Sequence, residues 1–336
     1  MLKIETKNFS QQEWSDIVSN FDDLNIMQTW AYGETKAQLQ GWKVARQLFT
    51  RDGLIVGAGQ AMVKTVPFLG KGLVWINRAP LWQRKEEAND QSILKEILVA
   101  LRKHWVEKEK MYLRVAPTLI NSLENAALLK NFGYNFLPDS HWISATLDLT
   151  KDEKALRCGL DKKWRNCLSK AEGLKIDCSI GTSEEFFEKA VNDYGIFLKN
   201  KNFKTSITPE FIEALQNNLS INNKMLVFSG EVDKKPLGSI IIVCYGKKAE
   251  YLIGAINEDG KRVNVGQFLL WRAICETKQR GFEIFDLGGA HPAKTPKGIM
   301  HFKEGLKGKP YKLVGEFEAL KGVRAQIVKL IIKLLS

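Results

Sequence analysis

A chain of 336 residues, 44% hydrophobic and 10% aromatic, exceeds one ordinary domain and suits two with substantial cores. Lys and Arg number 50 against 38 Asp and Glu, and the net charge of +12 favours polyanionic partners: nucleic acid, anionic lipid or phosphorylated substrates. No run approaches the ~20 apolar residues of a membrane span, the first residues lack a secretory apolar core, and five cysteines without a C-x-x-C pair argue against a disulfide framework or a zinc site and for a reducing compartment.

In chain order, Ser10 and Glu13 fit a capping box that opens a short helix through Phe21. A second helix covers Thr29 to Gln40. Three strand-like runs follow: Lys43 to Thr50, closed by the turn Arg51-Asp52-Gly53; Leu54 to Val66, ending at Pro67; and Gly72 to Asn77. From about Asp90 to Lys110 the residues Ile93, Ile97, Leu98, Leu101 and Trp105 keep helical spacing. Met111 to Ala116 reads as a strand, Ser122 to Phe132 as a short helix, and Trp142 to Leu149 as a strand. The polar, basic stretch Lys151 to Leu174 reads as one joining helix.

The second half repeats this order. Helices near Glu184 to Lys199 and Pro209 to Leu219 precede strands at Lys224 to Val232, Leu237 to Tyr245 and Ala249 to Gly254. A helix from about Val265 to Arg280 then leads to the strand Glu283 to Leu287 and to Gly288-Gly289. The shared order predicts a duplicated N-acyltransferase-like unit. The expected fold is α+β, two tandem domains over 1–150 and 151–320, each a mostly antiparallel sheet flanked by helices. Residues 321–336 form a basic amphipathic tail: Val323, Ile327, Leu330, Ile331 and Leu334 make one apolar stripe, with Lys321, Arg324, Lys329 and Lys333 mostly off it. Such a helix either packs on the protein's own body or lies on an anionic membrane surface.

Several chemistries lack their motifs. There is no H-E-x-x-H, no G-x-x-x-x-G-K-[ST] and no G-x-S-x-G. Gly57-Ala58-Gly59 sits inside a strand pattern, with Met62 at the third glycine position of a dinucleotide fingerprint. The four histidines lack metal-ligand spacing, so no metal site is expected.

Five segments together resemble the Fem family, the aminoacyl-tRNA-dependent transferases that build peptidoglycan cross-bridges within the wider N-acetyltransferase (GNAT) superfamily. They are Gln28-Thr29-Trp30-Ala31 with Lys36; Gly72 to Pro80, where Arg78-Ala79-Pro80 stands for an R-G-P turn; the basic helix Lys162 to Glu172; Leu269-Leu270-Trp271 through Gly281 to Gly289; and Gly298 to Leu306 followed by Gly315-Glu316-Phe317. The resemblance covers about residues 25 to 335. It implies a donor of aminoacyl-tRNA, an acceptor amine on a lipid-linked or nucleotide-linked peptidoglycan precursor, and no bound cofactor. The family's Phe-Lys pair maps to Phe302 and Lys303, the lysine having a catalytic role, and its early phosphate-contacting lysine maps to Lys36. Only Lys199 and Lys201 lie near the place of a further phosphate-binding arginine.

Aminoacyl transfer needs a neutral amine, a stabilised tetrahedral oxyanion and a grip on the donor phosphates. It needs no covalent nucleophile, because the ester is already activated. Lys303, set among Ile299, Met300, Phe302 and Leu306, is the expected cation near the oxyanion. Asp286, at a strand end before two glycines, either orients or deprotonates the amine or is a turn aspartate. Lys36, Trp30, Arg78, Arg165 and Phe302 complete the expected binding set, with Arg165 and its basic neighbours gripping phosphates while Trp164 stacks a base. Arg262 to Gln267 reads R-V-N-V-G-Q, one residue out of register with the pyrophosphate motif of ordinary N-acetyltransferases. A transferase using acetyl-CoA or another acyl-CoA on a sugar or peptide amine, tRNA-dependent aminoacylation of another small peptide, and a catalytically dead tRNA- or membrane-binding module stay open as alternatives. The expected location is the cytoplasm, with peripheral contact to the inner face of the plasma membrane.

Overall fold

Local signals set the first elements. In the computed structural model, which describes residues 2–85, 90–201 and 205–335, β1 (Lys3–Thr6) precedes α1 (Gln11–Ser19). The Ser10–Glu13 capping box starts α1, and Thr29 caps α2 (Trp30–Gln40), which ends at the left-handed Gly41. β2 (Lys43–Arg51), β3 (Leu54–Thr65) and β4 (Gly72–Asn77) follow the expected runs closely. The long amphipathic pattern becomes α3 (Gln91–Leu101), but from Arg102 to Lys108 it continues as a π-helical turn rather than an α-helix. β5 (Tyr112–Ala116), α4 (Leu123–Asn131) and β6 (Asn135–Phe136) close this stretch.

The chain then forms β7 (Ile143–Asp148), α5 (Glu153–Gly159) and α6 (Lys162–Glu172). The single joining helix expected over 151–174 is therefore two, broken where Leu160 adopts an extended conformation and Asp161 caps α6. Next come β8 (Asp177–Gly181), α7 (Glu184–Lys201), α8 (Pro209–Asn218), β9 (Leu226–Val232), β10 (Lys235–Tyr245), β11 (Lys248–Ile256) and α9 (Glu258–Arg262). α10 (Val265–Gln279), β12 (Ile284–Asp286), α11 (Lys297–Glu304), β13 (Lys309–Lys312), β14 (Phe317–Ala319) and α12 (Val323–Leu335) complete the chain.

Two units result: Met1–Trp142 with Lys312–Ser336, and Ile143–Tyr311. Each holds one seven-stranded sheet, in the order β1-β2-β3-β4-β5-β14-β6 and β13-β7-β12-β11-β10-β9-β8. Element for element the two orders are the same, with one parallel pair in each, β4·β5 and β11·β12. The sixth place is exchanged. β7, which follows the strands of the first unit, pairs with β12 in the second; β14, which follows the second, pairs with β5 in the first. The expected limits 1–150, 151–320 and 321–336 therefore differ from the units: Ile143–Asp148 belongs with the second, and residues 312–335 return to the first.

Each sheet buries the long helix that precedes its parallel pair's second strand. In the first unit Ile93, Leu94, Ile97, Leu98 and Leu101 of α3 lie in one core with Val74, Ile76, Leu113 and Val115. Burial of such a side chain contributes roughly 1.5–3 kcal/mol. Gly57 is needed here because a Cβ would sit 2.6 Å from Ile97 Cδ1 and 2.9 Å from the Leu81 carbonyl oxygen. In the second unit Leu269, Leu270, Ala273 and Ile274 of α10 pack with Phe228, Ile240, Ile242 and Phe285. Among the described residues no helix is long and apolar enough to cross a membrane.

Candidate active site

The second sheet opens at its parallel pair. β11 and β12 pair at Lys248↔Ile284, Ala249↔Phe285 and Glu250↔Asp286, and there β12 ends while β11 runs on to Ile256. Just beyond, β11 carries a bulge: Ile242 faces Tyr251 and Ile241 faces Ile253, leaving Leu252 as the extra residue. Bulges re-aim side chains and are frequent beside active sites. The chain after Asp286 turns through Gly288, whose φ of +68° suits glycine. A Cβ there would meet the Tyr251 carbonyl oxygen at 2.6 Å.

Lys303 of α11 reaches this opening. It is 8% exposed, its Nζ donates to the Gly289 carbonyl oxygen at 2.9 Å, and it lies 5.4 Å from the centroid of the Tyr251 ring. Burial pushes its pKa down to about 8, outweighing the opposite pull of Glu250 and Asp286. An ammonium so poised is close to losing its proton at neutral pH.

Of the two expected parts, the bonds of Asp286 match that of a turn aspartate. Its Oδ1 accepts from Ser144 Oγ at 2.6 Å and from the Gly288 backbone N–H at 2.8 Å, and its Oδ2 accepts from Tyr311 OH at 2.6 Å. With both oxygens engaged it anchors the Gly288-Gly289 turn rather than facing an amine. Ser144 also donates to the Gly288 carbonyl oxygen at 2.8 Å. Glu250 is buried and accepts from Tyr245 OH at 2.6 Å. Sequence reading missed Ser144, Glu250, Tyr251 and Tyr311. Glu250 alone carried a signal: a carboxylate within an apolar central strand.

Phe302 turns toward the body of the unit. Its ring lies 6.1 Å from that of Trp164, whose Nε1 donates to the Phe302 carbonyl oxygen at 3.1 Å. A Cβ on Gly266, in the first turn of α10, would touch the Phe302 ring at 3.6 Å. Trp164 is buried and packs against Gly305, so it cannot stack a base as expected. Arg165 departs too: its guanidinium donates to the carbonyl oxygens of Cys158 at 3.0 Å and Leu160 at 3.5 Å, bracing the break between α5 and α6. Lys162, Lys163 and Lys170 remain exposed on α6.

The other expected residues belong to the first unit. Arg78 is 7% exposed, holds a φ of +52°, and stacks its guanidinium 4.1 Å from the centroid of Trp142. Tyr32 is buried beside it, its hydroxyl pushed up to about 12 by burial against the pull of Arg78 and Asn77. One turn along α2, Lys36 Nζ lies 5.7 Å from the Tyr32 ring and 5.8 Å from Trp75, and donates to Gln40 Oε1 at 3.0 Å. Burial lowers its pKa as well. Both cations thus lie over aromatic faces, where the ring quadrupole attracts them. Trp30 serves a different end, carrying the Arg46 guanidinium 3.6 Å above its ring while Glu34 holds Arg46 at 2.8 Å. The Lys201 side chain and Phe203 lie outside the described residues.

Known proteins share this fold. Residues 156–304 match the family model described as Acetyltransferase (GNAT) domain. No curated protein sequence matches the chain. Among solved structures, FemX is similar over 98% of this chain and 100% of its own, with a TM-score of 0.78 at 16% identity. A tandem GNAT protein of the clavulanic acid biosynthesis pathway is similar over 96% and 99%, with a TM-score of 0.52 at 10% identity. The C-terminal domain (DUF2156) assigned to a lysylphosphatidylglycerol synthetase of Agrobacterium fabrum is similar over 97% and 96%, with a TM-score of 0.59 at 13% identity. The chain thus has the fold of FemX, two tandem GNAT-like units, and its second unit carries the stretch that matches the acetyltransferase domain.

Proposed function

We propose that this protein is a Fem-type acyltransferase that moves an amino acid from aminoacyl-tRNA to an amine of a peptidoglycan precursor. The observation that carries the reading is Lys303: a buried ammonium, held by the Gly289 carbonyl oxygen where β11 and β12 part. In this reading the neutral acceptor amine attacks the ester carbonyl, and the Lys303 ammonium faces the oxygen that gains charge. Such a donor in a site shielded from water lowers the barrier by about 2.7–4 kcal/mol. The amine's proton leaves with the ribose oxygen of the departing tRNA. Asp286 acts through the turn it anchors, positioning Gly289 and hence Lys303. Lys36 and Arg78 hold phosphates of the precursor, lipid-linked or nucleotide-linked. The net charge of +12 suits two polyanionic substrates. The cytoplasm, where charged tRNA is available, is the place of action.

A second reading, an acyl-CoA donor, is favoured by the family match over residues 156–304. The Phe302 ring against Gly266 weighs the other way, because it crowds the first turn of the helix at whose start ordinary N-acetyltransferases seat the pyrophosphate. Incubation with tRNA charged with labelled amino acids, and separately with labelled acetyl-CoA, each with a peptidoglycan precursor, distinguishes the two. RNase-sensitive transfer of label is the expected result; transfer from the thioester alone overturns the tRNA reading.

A further inference from the structure

Helix α12 has two apolar faces, and only one is used by the fold. Ala325, Val328 and Ile332 face inward. Val328 is fully buried and shares a small cluster with Leu73 and Tyr112, to which Ile332, Val66 and Leu69 also pack. The stripe that the sequence marks as the apolar face is largely the other one. Val323 is 72% exposed, Leu330 61% and Leu334 86%, with Ile327 also exposed. At about 100° per residue these four fall within one narrow sector, roughly opposite the three that face inward.

Charge borders that outward stripe on both sides. Arg324 flanks one edge and Lys333 the other, and Lys321 precedes the helix; all three are exposed. Residues 321–336 contain four basic residues and no Asp or Glu. A second apolar group stands nearby. The turn between β3 and β4 places Val66 and Leu69 in the same cluster as Val328, and it holds Phe68 wholly exposed, at 108%. Phe68 has a φ of +66°, a conformation unfavourable for a bulky residue, so the turn keeps the ring outward at a local cost. The β3 strand leading into this turn adds the exposed Lys64.

We propose that α12 and the Phe68 turn form a docking surface for an anionic lipid bilayer. The outward stripe and the Phe68 ring enter the acyl boundary while Lys321, Arg324 and Lys333 meet the headgroup phosphates. Charge complementarity selects this occupant: a stripe whose charged neighbours along the helix are all cations fits an anionic surface, whereas two copies of it would set like charges edge to edge. The surface belongs to the first unit alone and does not rest on the transfer reaction.

Sedimentation of the full chain with vesicles of phosphatidylglycerol or of phosphatidylcholine tests it. The expected result is binding to phosphatidylglycerol at least about tenfold tighter than to phosphatidylcholine, and lost near about 0.5 M salt. The double variant Leu330→Asn with Leu334→Asn, and separately Phe68→Ser, should each weaken binding severalfold with an unchanged melting temperature, because these side chains are exposed. Equal binding to both lipids, or binding unaffected by both variants, overturns the proposal. So does a dimer in light scattering that the double variant dissolves while vesicle binding is absent, which would assign the stripe to a second copy of the chain.

Discussion

The two units treat their one parallel pair in opposite ways. In the first, β4 and β5 stay paired from Leu73↔Tyr112 to Asn77↔Ala116, through the last residue of each strand. Beyond that end the backbone is stitched shut by side-chain amides: Gln28 Nε2 donates to the Asn77 carbonyl oxygen at 2.8 Å and Asn25 Nδ2 to that of Arg78 at 2.8 Å. In the second, pairing stops after three residues, and the gap takes in a buried lysine, two buried carboxylates and a two-glycine turn. One architecture thus gives a closed scaffold with cations stacked on aromatics and an open one with groups suited to acyl transfer. The two sheets share one strand order, and the length of β12 sets them apart.

If this division of labour holds, substitutions in the two units should fail differently. The largest effect is expected for Lys303→Ala, with turnover falling about 10²–10³-fold and donor binding little changed. Single-turnover kinetics with charged tRNA measure it, and unchanged turnover would remove the reacting centre from the second unit. Next comes Gly288→Ala. The added Cβ meets the Tyr251 carbonyl oxygen and the left-handed φ is lost, so stability should drop by roughly 1–3 kcal/mol and turnover by about tenfold or more. Denaturant melts and rate assays report both.

Lys36→Ala, in the first unit, should raise the KM for the precursor by about tenfold while leaving kcat nearly intact. A fall in kcat alone would erase the contrast between the units. The mildest test is pH. Lys303 titrates near about 8 in the folded state, against 10.5 as its ordinary value. Burial therefore disfavours the cation that the proposed transfer uses. Activity should fall as pH rises through about 8 and the ammonium is lost. Between about pH 8 and 10.5 the unfolded chain binds the extra proton, so stability should rise across that window by up to roughly 3 kcal/mol relative to a Lys303→Met variant. A parallel pH profile for Lys303→Met would show that the titration belongs elsewhere.

The order of strands and helices was legible because amphipathic period and turn chemistry act locally. Ser10, Thr29 and Gly41 delimit their helices much as their side-chain chemistry dictates. What escaped was non-local. Nothing in the short, polar run Lys309–Lys312 marks an edge strand. Nothing near Phe317 says that it will pair with Val115, some two hundred residues earlier. The burial of Lys303 was legible from its apolar neighbours, but the grip on Asp286 by Ser144 and Tyr311 was not, since those residues lie 142 and 25 positions from it. Arg165 and Trp164 were misread for one reason: a basic helix looks the same in sequence whether its long side chains reach solvent or fold back on nearby carbonyl oxygens.

The exchanged strands impose a timetable on the growing polypeptide. β7 lies ahead of every other strand of its sheet, so the second sheet can close as soon as residue 312 has left the ribosome. The first unit, although translated earlier, must wait with a slot open between β5 and β6. That slot is filled only when Phe317–Ala319 arrives, secured by Arg114 on Glu316 and by Tyr112 and Lys329 on the buried Glu318. The half that is made first is therefore the half that is finished last, and a ribosome stalled before residue 317 would leave it with two unpaired strand edges for chaperones to shield.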